Sequence, residues 1–332
     1  MKILVYGAGV IGSYLAHGLM RAGNEVTLLA RGQRRHELEQ NGLAIRHYVQ
    51  RKTTLDHPRI IGEIDRESYD IVFAAMQYQQ MKSILADMAQ VHAPLVMLVG
   101  NNLSAPDMAA YIHAHATTPR TVAFGFQTTG GRRENGQVIC VRKGTSGLHC
   151  GLVHGPLGQQ DKLALEQAFR NTEFRLNFQH DMYGWYLSHL AFILPVAYLC
   201  YALDCDLTKA DRAGLRLCVD AAREGFDLLR ALEVPILPAG EDEYFAPGPK
   251  RALLMAMLWI ATKTALGRLM ASDHCRNAVA EMRVLDEEFM ALRLGQPALA
   301  LPRWDALRAR MPDWEQWSRR WQSGDTSQDR HP

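Results

Sequence analysis

The chain has 332 residues, 48% of them hydrophobic and 22% charged, a composition typical of a soluble globular protein that is long enough for two domains. Its formal net charge of +2 and the lack of a long basic block argue against nucleic acid as a partner. The histidines and cysteines include no His-x-x-x-His or Cys-x-x-Cys spacing, so we expect no metal site and reduced thiols.

Two further observations bear on where the protein resides. Met1-Lys2 leads directly into an apolar run, so the features of a secretory signal peptide are not found there. The most apolar later stretches, residues 190–203 and 252–262, are shorter than the roughly 18–20 residues that a membrane-spanning helix needs. We therefore expect a cytoplasmic protein without a membrane partner.

The first thirty residues have the pattern of one βαβ unit. Residues 2–6 form a short apolar run that ends at a glycine and predicts a buried parallel strand. Apolar residues at helical spacing predict a helix over about 11–22, which Gly23-Asn24 ends in a turn. Residues 25–30 then predict a second apolar strand.

Strand-like and helix-like segments keep alternating as far as residue 114. We predict strands over 69–75 and 95–99, and helices over 79–88 and 106–114. Alternation of this kind is typical of a doubly wound parallel sheet.

The pattern changes twice in the remaining chain. Residues 121–154 are β-rich with glycine turns, and Asn135-Gly136 is a strong hairpin signal, so we expect a meander that closes the sheet. A helix over about 160–170 and a short strand over 174–178 follow, and helical periodicity dominates beyond residue 180.

The predicted fold class is α/β, with an N-terminal Rossmann domain built on a doubly wound parallel sheet and an all-α C-terminal domain. We place the NADP-binding Rossmann domain at residues 1–178 and a helical substrate and dimerisation domain at 179–324. The polar residues 325–332 are expected to be a disordered tail.

A G-x-G-x-x-G motif lies between the first strand and the first helix, which is the context that makes this pattern specific for a dinucleotide. Its first glycine permits a tight turn, its second allows the backbone to approach a diphosphate, and its third allows helix and strand to pack closely. The helix N-terminus adds free N–H groups and the positive end of its dipole. The predicted cofactor-binding residues are Gly7, Ala8, Gly9, Val10, Ile11 and Gly12.

The end of the second strand favours NADP(H) over NAD(H). An NAD site typically has an acidic residue there, which accepts hydrogen bonds from the ribose hydroxyls. This strand ends instead in Ala30-Arg31, with Arg34 and Arg35 shortly after. A guanidinium group can pair with the 2′-phosphate, so we predict that Arg31 binds it, supported by Arg34 or Arg35.

The opening Lys-Ile-Leu-Val-Tyr-Gly-Ala-Gly-Val-Ile-Gly-Ser, followed by Leu-Leu-Ala-Arg-Gly, resembles the ketopantoate reductase family (2-dehydropantoate 2-reductases). The resemblance implies a Rossmann domain, a helical C-terminal domain and a cleft between them, in which NADPH reduces a 2-keto acid, often in a homodimer. Less specific likenesses occur at Gly100-Asn101-Asn102, from Trp185 to Pro195, and at Ser272-Asp273 and Glu281-Met282.

Carried over by position, the resemblance implies that Asn101 lies near the nicotinamide and substrate and that Glu281 binds the hydroxyl end of the substrate. The chain departs from the family at the catalytic lysine, whose position holds Leu187 or, in a second alignment, Tyr186. A further family lysine is replaced by Met76.

Without the lysine, another group must stabilise the developing oxyanion and supply a proton. His189 lies one helical turn after Trp185 and is our first candidate, because an imidazole has an unperturbed pKa of about 6.5. Tyr186, His180 and Tyr183 are the alternatives. The predicted catalytic residues are therefore His189, Glu281 and Asn101.

The favoured hypothesis is an NADPH-dependent reductase of a small carbonyl compound, resembling 2-keto acids, with hydride transfer in the interdomain cleft. The first alternative is a catalytically silent protein that binds NADP(H) and senses its state. The second is a true 2-dehydropantoate 2-reductase with a substituted general acid. The expected partners are a small-molecule substrate and a second copy of the chain.

Overall fold

The computed structural model describes residues 1–142, 144–264 and 267–317, without the side chain of residue 270. The chain divides into two compact units, the first ending at Tyr186 and the second beginning at Leu187. The predicted disordered tail, residues 325–332, lies outside the described residues.

The first unit contains both strands and helices. Its strands are β1 (Lys2–Tyr6), β2 (Glu25–Leu29), β3 (Leu43–His47), β4 (Lys52–Asp56), β5 (Arg59–Ile61), β6 (Ile71–Ala75), β7 (Leu95–Val99), β8 (Thr121–Gln127), β9 (Gly130–Glu134), β10 (Gln137–Val141), β11 (Ser146–Gly151) and β12 (Phe174–Gln179). Its helices are α1 (Val10–Arg21), α2 (Gly32–Asn41), α3 (Tyr78–Met81), α4 (Leu85–Gln90), α5 (Ala105–His115) and α6 (Gln159–Ala168).

Eight of these strands form the main sheet, in the order β12-β11-β8-β7-β6-β1-β2-β5. Neighbours in this sheet are parallel except for β8 and β11. Strands β6 and β7 are buried along their whole length, as expected when helices cover both faces of a parallel sheet. The predicted α/β class with a doubly wound sheet is confirmed.

Four strands form a second sheet, in the order β4-β3-β10-β9, which the sequence pattern did not predict. Asn135 and Gly136 connect β9 to β10 with φ of 49° and 77°, so the predicted hairpin is confirmed. The expectation that residues 121–154 form one meander closing the main sheet is wrong, because β9 and β10 pair with each other and with β3. Leu43 in β3 and Val138 in β10 belong to the same buried hydrophobic core as residues of α1 and the main sheet.

The second unit contains helices and, among its described residues, no strand, as predicted. Helix α7 (Met182–Ala202) begins in the first unit and continues into the second. The helices that follow are α8 (Arg212–Ala231), α9 (Pro249–Thr262), α10 (Asp273–Asn277), α11 (Val279–Leu292) and α12 (Pro302–Arg308).

Among the described residues, α7 is the one helix that is long and apolar enough to cross a membrane by length and composition alone. It has 21 residues and a mean hydropathy of 1.3 in its most apolar window, of which 72% is buried, as in core helices of soluble proteins. The apolar stretch 190–203 is thus part of a longer helix that extends back to Met182.

Candidate functional site

The turn between β1 and α1 depends on glycine at two positions. Gly7 has a φ of 110°, and a Cβ there would lie 2.3 Å from the carbonyl oxygen of Ala75. A Cβ on Gly12 would lie 1.9 Å from the carbonyl oxygen of Gly7. Neither position can carry a side chain, because the backbone of the turn and the end of β6 pass too close.

Gly9 in the same turn has a different environment, since a Cβ there would meet no heavy atom within 4 Å. Gly9 is the N-cap of α1, so no N-cap side chain accepts a hydrogen bond from the first N–H groups of the helix. The first turn of α1 also contains no acidic residue. The first N–H groups of a helix have no intrahelical acceptors and attract anions. Open space beside these groups fits the diphosphate of a dinucleotide, with the backbone of residues 7–12 as its binding surface.

Arg34 reaches this turn from α2, and its side chain is 8% exposed. Its guanidinium donates hydrogen bonds to the carbonyl oxygens of Ala8, at 3.2 Å, and Gly136, at 2.7 Å, and pairs with Glu37 at 3.3 Å. Burial lowers the pKa of this guanidinium from its usual value. Arg34 therefore connects the glycine turn to the hairpin of the second sheet.

Arg31 and Arg35 meet beside Gly62, which follows β5. Nε of Arg31 donates a hydrogen bond to the Gly62 carbonyl oxygen at 3.4 Å. The guanidinium of Arg35 passes close to the Cα of Gly62, since a Cβ added there would lie 2.5 Å from its Nη1. Arg31 is the N-cap of α2, whose first turn contains no acidic residue. Two exposed guanidinium groups at a helix N-terminus form a positive site that fits a phosphate group.

Two further side chains contact Arg31. Its Nη2 donates to the Tyr6 hydroxyl, whose own proton is donated to Asp87 at 2.8 Å. The carboxylate of Asp87 lies 3.7 Å from Nη2 of Arg31. Burial and the hydrogen bond to Asp87 raise the pKa of Tyr6 to about 12. Asp87 therefore partly neutralises the positive site beside Gly62.

Asn101 and Asn102 follow β7, at the carboxyl edge of the main sheet where ligands bind in such folds. Their exposed fractions are 5% and 1%. Nδ2 of Asn102 contacts the sulfur of Met108 at 3.1 Å. The Oδ1 atoms of both residues have no hydrogen-bond partner among the described residues. The predicted position of Asn101 therefore contains a buried, unmatched acceptor.

Gln127, at the end of β8, is a candidate that the sequence analysis missed. Its side chain is 3% exposed, and both of its amide atoms lack a hydrogen-bond partner among the described residues. The available signal was a lone amide ending the apolar run Val-Ala-Phe-Gly-Phe at the carboxyl end of a strand.

Tyr186 and Leu187, which the resemblance in the sequence places at the position of a catalytic lysine, are both buried. The Tyr186 hydroxyl donates a hydrogen bond of 3.0 Å to the carbonyl oxygen of Gly125, and burial raises its pKa well above 10. Its proton is thus held by the backbone of β8, which makes Tyr186 a poor proton donor.

The other two predicted catalytic residues belong to the second unit, whereas Asn101 belongs to the first. His189 is half-buried on α7. Glu281 is 3% exposed and lies in the first turn of α11. Ala278, with φ of −121° and ψ of 25°, separates α10 from α11.

No group of three metal-ligating side chains occurs in the part of the chain that the structure describes. All six cysteines are buried, and none is in a disulfide.

Comparison with known proteins finds a family match within the first unit. Residues 3–152 match the family described as ketopantoate reductase PanE/ApbA. The chain is also 31% identical over 87 residues to the uncharacterized oxidoreductase YkpB of Bacillus subtilis (strain 168). This match covers 26% of the chain and 28% of that relative, so it spans well under two thirds of the relative's length.

Solved structures resemble almost the whole chain. A D-mandelate dehydrogenase with NADH and anilino(oxo)acetate has a TM-score of 0.71 at 15% identity, covering 97% of this chain and 100% of that one. A PanE/ApbA family ketopantoate reductase from Ralstonia eutropha JMP134 has a TM-score of 0.69 at 17% identity, with coverages of 97% and 100%. The 2-dehydropantoate 2-reductase of Geobacter metallireducens GS-15 also has a TM-score of 0.69 at 17% identity, covering 95% and 99%.

Identities this low show a shared fold and no more. The likeness covers both the mostly parallel sheet and the helical second unit. The match to the ketopantoate reductase PanE/ApbA family covers residues 3–152, which lie within the first unit.

Proposed function

We propose that this protein is an NADP(H)-dependent oxidoreductase that reduces a small carbonyl compound of the 2-keto acid class. The observation that carries the proposal is the pairing of two positive sites on one unit. The open glycine turn at Gly9 fits a diphosphate, and the guanidinium groups of Arg31 and Arg35 beside Gly62 fit the 2′-phosphate.

The two parts of the chain take different roles in this proposal. Residues 1–178 bind the cofactor, and residues 179–324 bind the substrate and form a homodimer in the cytoplasm. The 2-keto acid class is supported by the similar D-mandelate dehydrogenase, whose structure contains anilino(oxo)acetate, and by the similar 2-dehydropantoate 2-reductases.

The reduction requires a hydride, which the nicotinamide supplies when bound, and a proton. Asn101, at the carboxyl edge of the sheet, orients the reacting groups through its amide. His189 stabilises the oxyanion and donates the proton in place of the family's lysine, since Leu187 has no proton to give and Tyr186 holds its proton on Gly125. Glu281 binds the hydroxyl end of the substrate.

The activity is tested by following NADPH oxidation spectrophotometrically over a panel of 2-keto acids, including 2-dehydropantoate and phenylglyoxylate, with aldehydes and imines for comparison. Turnover of one or more 2-keto acids is the expected result. Tight NADPH binding without turnover of any compound would instead support the silent sensor. Fast formation of pantoate would identify a true 2-dehydropantoate 2-reductase with a substituted acid.

The role of His189 is tested in the same assay with His189→Gln, which keeps a hydrogen-bond donor but cannot supply a proton at neutral pH. We expect kcat to fall by at least about 100-fold with little change in NADPH affinity. His113→Gln, on the exposed end of α5, is the matched control and should retain full activity. Equal rates for His189→Gln and the unmodified protein would remove His189 from the mechanism.

A further inference from the structure

The side chain of Gln127 is buried without the contacts that a buried amide needs. It is 3% exposed, and neither Oε1 nor Nε2 has a hydrogen-bond partner among the described residues. A buried polar group left unmatched destabilises a fold by about 1–3 kcal/mol, and most such groups in proteins are satisfied. An unmatched amide at the end of a strand therefore points to a ligand that completes it.

Strand register places Gln127 at the same edge of the sheet as Asn101. Val99, the last residue of β7, pairs with Gly125 of β8, and the N–H of Gly100 donates to the carbonyl oxygen of Gly125 at 2.9 Å. Gln127 is the last residue of β8 and Asn101 follows β7 after Gly100, so both residues lie at the carboxyl edge, at the ends of neighbouring parallel strands.

The pairing with β11 shows which face of the sheet Gln127 occupies. Gln127 is opposite Leu148 in the antiparallel ladder, so their side chains lie on the same face. Leu148 belongs to the core that Leu15 and Leu19 of α1 enter. Gln127 is therefore on the face of the sheet covered by α1, the helix that begins at the glycine turn.

The unmatched atoms specify the kind of ligand. Asn101 offers an Oδ1 acceptor, and Gln127 offers one acceptor oxygen and one donor nitrogen, which carries two N–H groups, whichever way its amide is turned. A carboxylate carries acceptors only and would leave both oxygens unmatched. A primary carboxamide carries two N–H donors and a carbonyl acceptor, which match all three atoms.

We infer that Gln127 and Asn101 bind the primary carboxamide of the nicotinamide ring, an assignment that rests on the nicotinamide-dependent function proposed above. Nε2 of Gln127 donates to the carboxamide oxygen. Oε1 of Gln127 and Oδ1 of Asn101 accept from the carboxamide nitrogen. Gln127 is thus a binding residue that fixes the rotation of the ring relative to the sheet.

The test compares Gln127→Leu with the unmodified protein by isothermal titration of NADP⁺ and of 2′,5′-ADP, which lacks the nicotinamide. We expect Gln127→Leu to weaken NADP⁺ binding about tenfold and to leave 2′,5′-ADP binding unchanged. The 3-acetylpyridine analogue of NADP⁺ lacks the amide N–H donors, so its affinity should fall by a smaller factor.

Thermal unfolding of the ligand-free proteins gives a second readout. Leucine replaces an unmatched buried amide with an alkyl group of similar size, so Gln127→Leu should raise the melting temperature. Asn24→Leu is the matched control. Its Nδ2 donates to the carbonyl oxygens of Leu19 and Ala168 at 2.8 Å, so this change should lower the melting temperature and leave NADP⁺ binding unaltered.

The outcomes separate the inference from the proposed function. If the unmodified protein and Gln127→Leu bind NADP⁺ equally, or if Gln127→Leu melts at a lower temperature, the inference fails and the proposed function stands. If the unmodified protein binds neither NADP⁺ nor 2′,5′-ADP, the proposed function fails and the inference with it. Gln127→Met, which also removes both amide atoms, repeats the comparison if the leucine variant does not fold.

Discussion

Nε of Arg34 donates a hydrogen bond of 3.2 Å to the carbonyl oxygen of Ala8, inside the glycine turn. The same guanidinium reaches Gly136 of the second sheet at 2.7 Å. The donors of Arg34 are thus turned toward backbone carbonyls and Glu37, and its side chain is buried, whereas the side chains of Arg31 and Arg35 are 61% and 45% exposed and pair with Asp87 at 3.7 Å and Glu39 at 2.7 Å. We therefore expect the three arginines to have two different roles, Arg34 in supporting the turn and Arg31 and Arg35 in binding phosphate.

Arg34→Met tests the supporting role. Loss of these hydrogen bonds should reduce the free energy of unfolding by about 2–3 kcal/mol, because the carbonyl oxygens of Ala8 and Gly136 lose a charged donor. NADPH and NADH affinities should fall by the same factor, since the turn binds the diphosphate that both share. Denaturant titrations and calorimetry check both effects. A loss confined to NADPH would instead make Arg34 a ligand of the 2′-phosphate.

Arg31→Ala tests the phosphate-binding role. The 2′-phosphate distinguishes NADPH from NADH, so the variant should lose NADPH affinity by at least about tenfold while NADH affinity changes little. Arg170→Ala, which removes an exposed arginine after α6, is the matched control. Titrations with NADPH and NADH give the ratio of the two affinities directly. Equal losses of affinity for the two dinucleotides would contradict the assignment of Arg31 to the 2′-phosphate.

Asp87→Asn is expected to raise the affinity for NADPH, which is the opposite of the effect expected for Arg31→Ala. Asp87 lies 3.7 Å from Nη2 of Arg31 and accepts the Tyr6 proton, so its charge opposes a phosphate at this position. Both partners are partly exposed, so removing the charge should tighten NADPH binding by only about two- to fivefold and leave NADH binding unchanged. Weaker NADPH binding in this variant would show that Asp87 orients Arg31 and does not compete with the phosphate.

How well the sequence predicted the fold depended on whether the contacts were local. The strands at 2–6 and 95–99 are continuous apolar runs, and their predicted limits agree with β1 and β7. The second sheet was missed because β4 is polar and because β3 pairs with a strand distant in the chain, Ile45 with Val138. Period-two patterning reveals a strand but not its partner.

In the candidate site too, the features set by local sequence could be predicted and those set by distant contacts could not. The glycine motif has a fixed spacing, and its backbone conformation follows from local sterics, so the tight turn between β1 and α1 could be predicted, while its binding of a nucleotide stays a prediction. The burial of Glu281 could not, because it depends on the break at Ala278 between α10 and α11. The unmatched amide of Gln127 depends on what the neighbouring strands bring near it, which one sequence does not contain.

His47 should make stability depend on pH between about 4 and 6.5. Burial, with the nearby charges of His17, Lys52 and Arg142, lowers its pKa to about 4, against about 6.5 in the unfolded chain. Within this window the unfolded state binds a proton that the folded state does not. Stability is therefore complete at higher pH and falls as the pH drops from 6.5 to 4, by up to about 3 kcal/mol.

Urea titrations from pH 7 to pH 4 measure this effect. His47→Gln, which keeps a hydrogen-bonding group for the partner of Nε2, Thr54, should show a flatter profile than the unmodified protein. The exposed His36, on α2, provides His36→Gln as the control, which should follow the unmodified profile. If the free energy of unfolding depended on pH in the same way in all three proteins, His47 would not contribute to this dependence.

Asp286 should be the most sensitive polar residue of the second unit. Its carboxylate is fully buried and accepts hydrogen bonds from Tyr198, Arg308 and Trp314. Asp286→Asn leaves Arg308 without its counter-charge and should reduce the free energy of unfolding by about 3 kcal/mol. Asp305→Asn, which breaks the exposed pair with Arg293, should change it little. Chemical denaturation compares them, and equal effects would contradict the burial argument.

The most direct test of the central claim is calorimetric titration of Gly9→Ala with NADPH, beside the unmodified protein. The added methyl meets no protein atom within 4 Å, so the melting temperature should be unchanged, while NADPH affinity falls by at least about tenfold because the methyl occupies the space of the diphosphate. Gly158→Ala, at the start of α6, is the control and should bind as the unmodified protein does. Equal NADPH affinity in Gly9→Ala, or no binding of NADPH or NADH by the unmodified protein, would contradict the account.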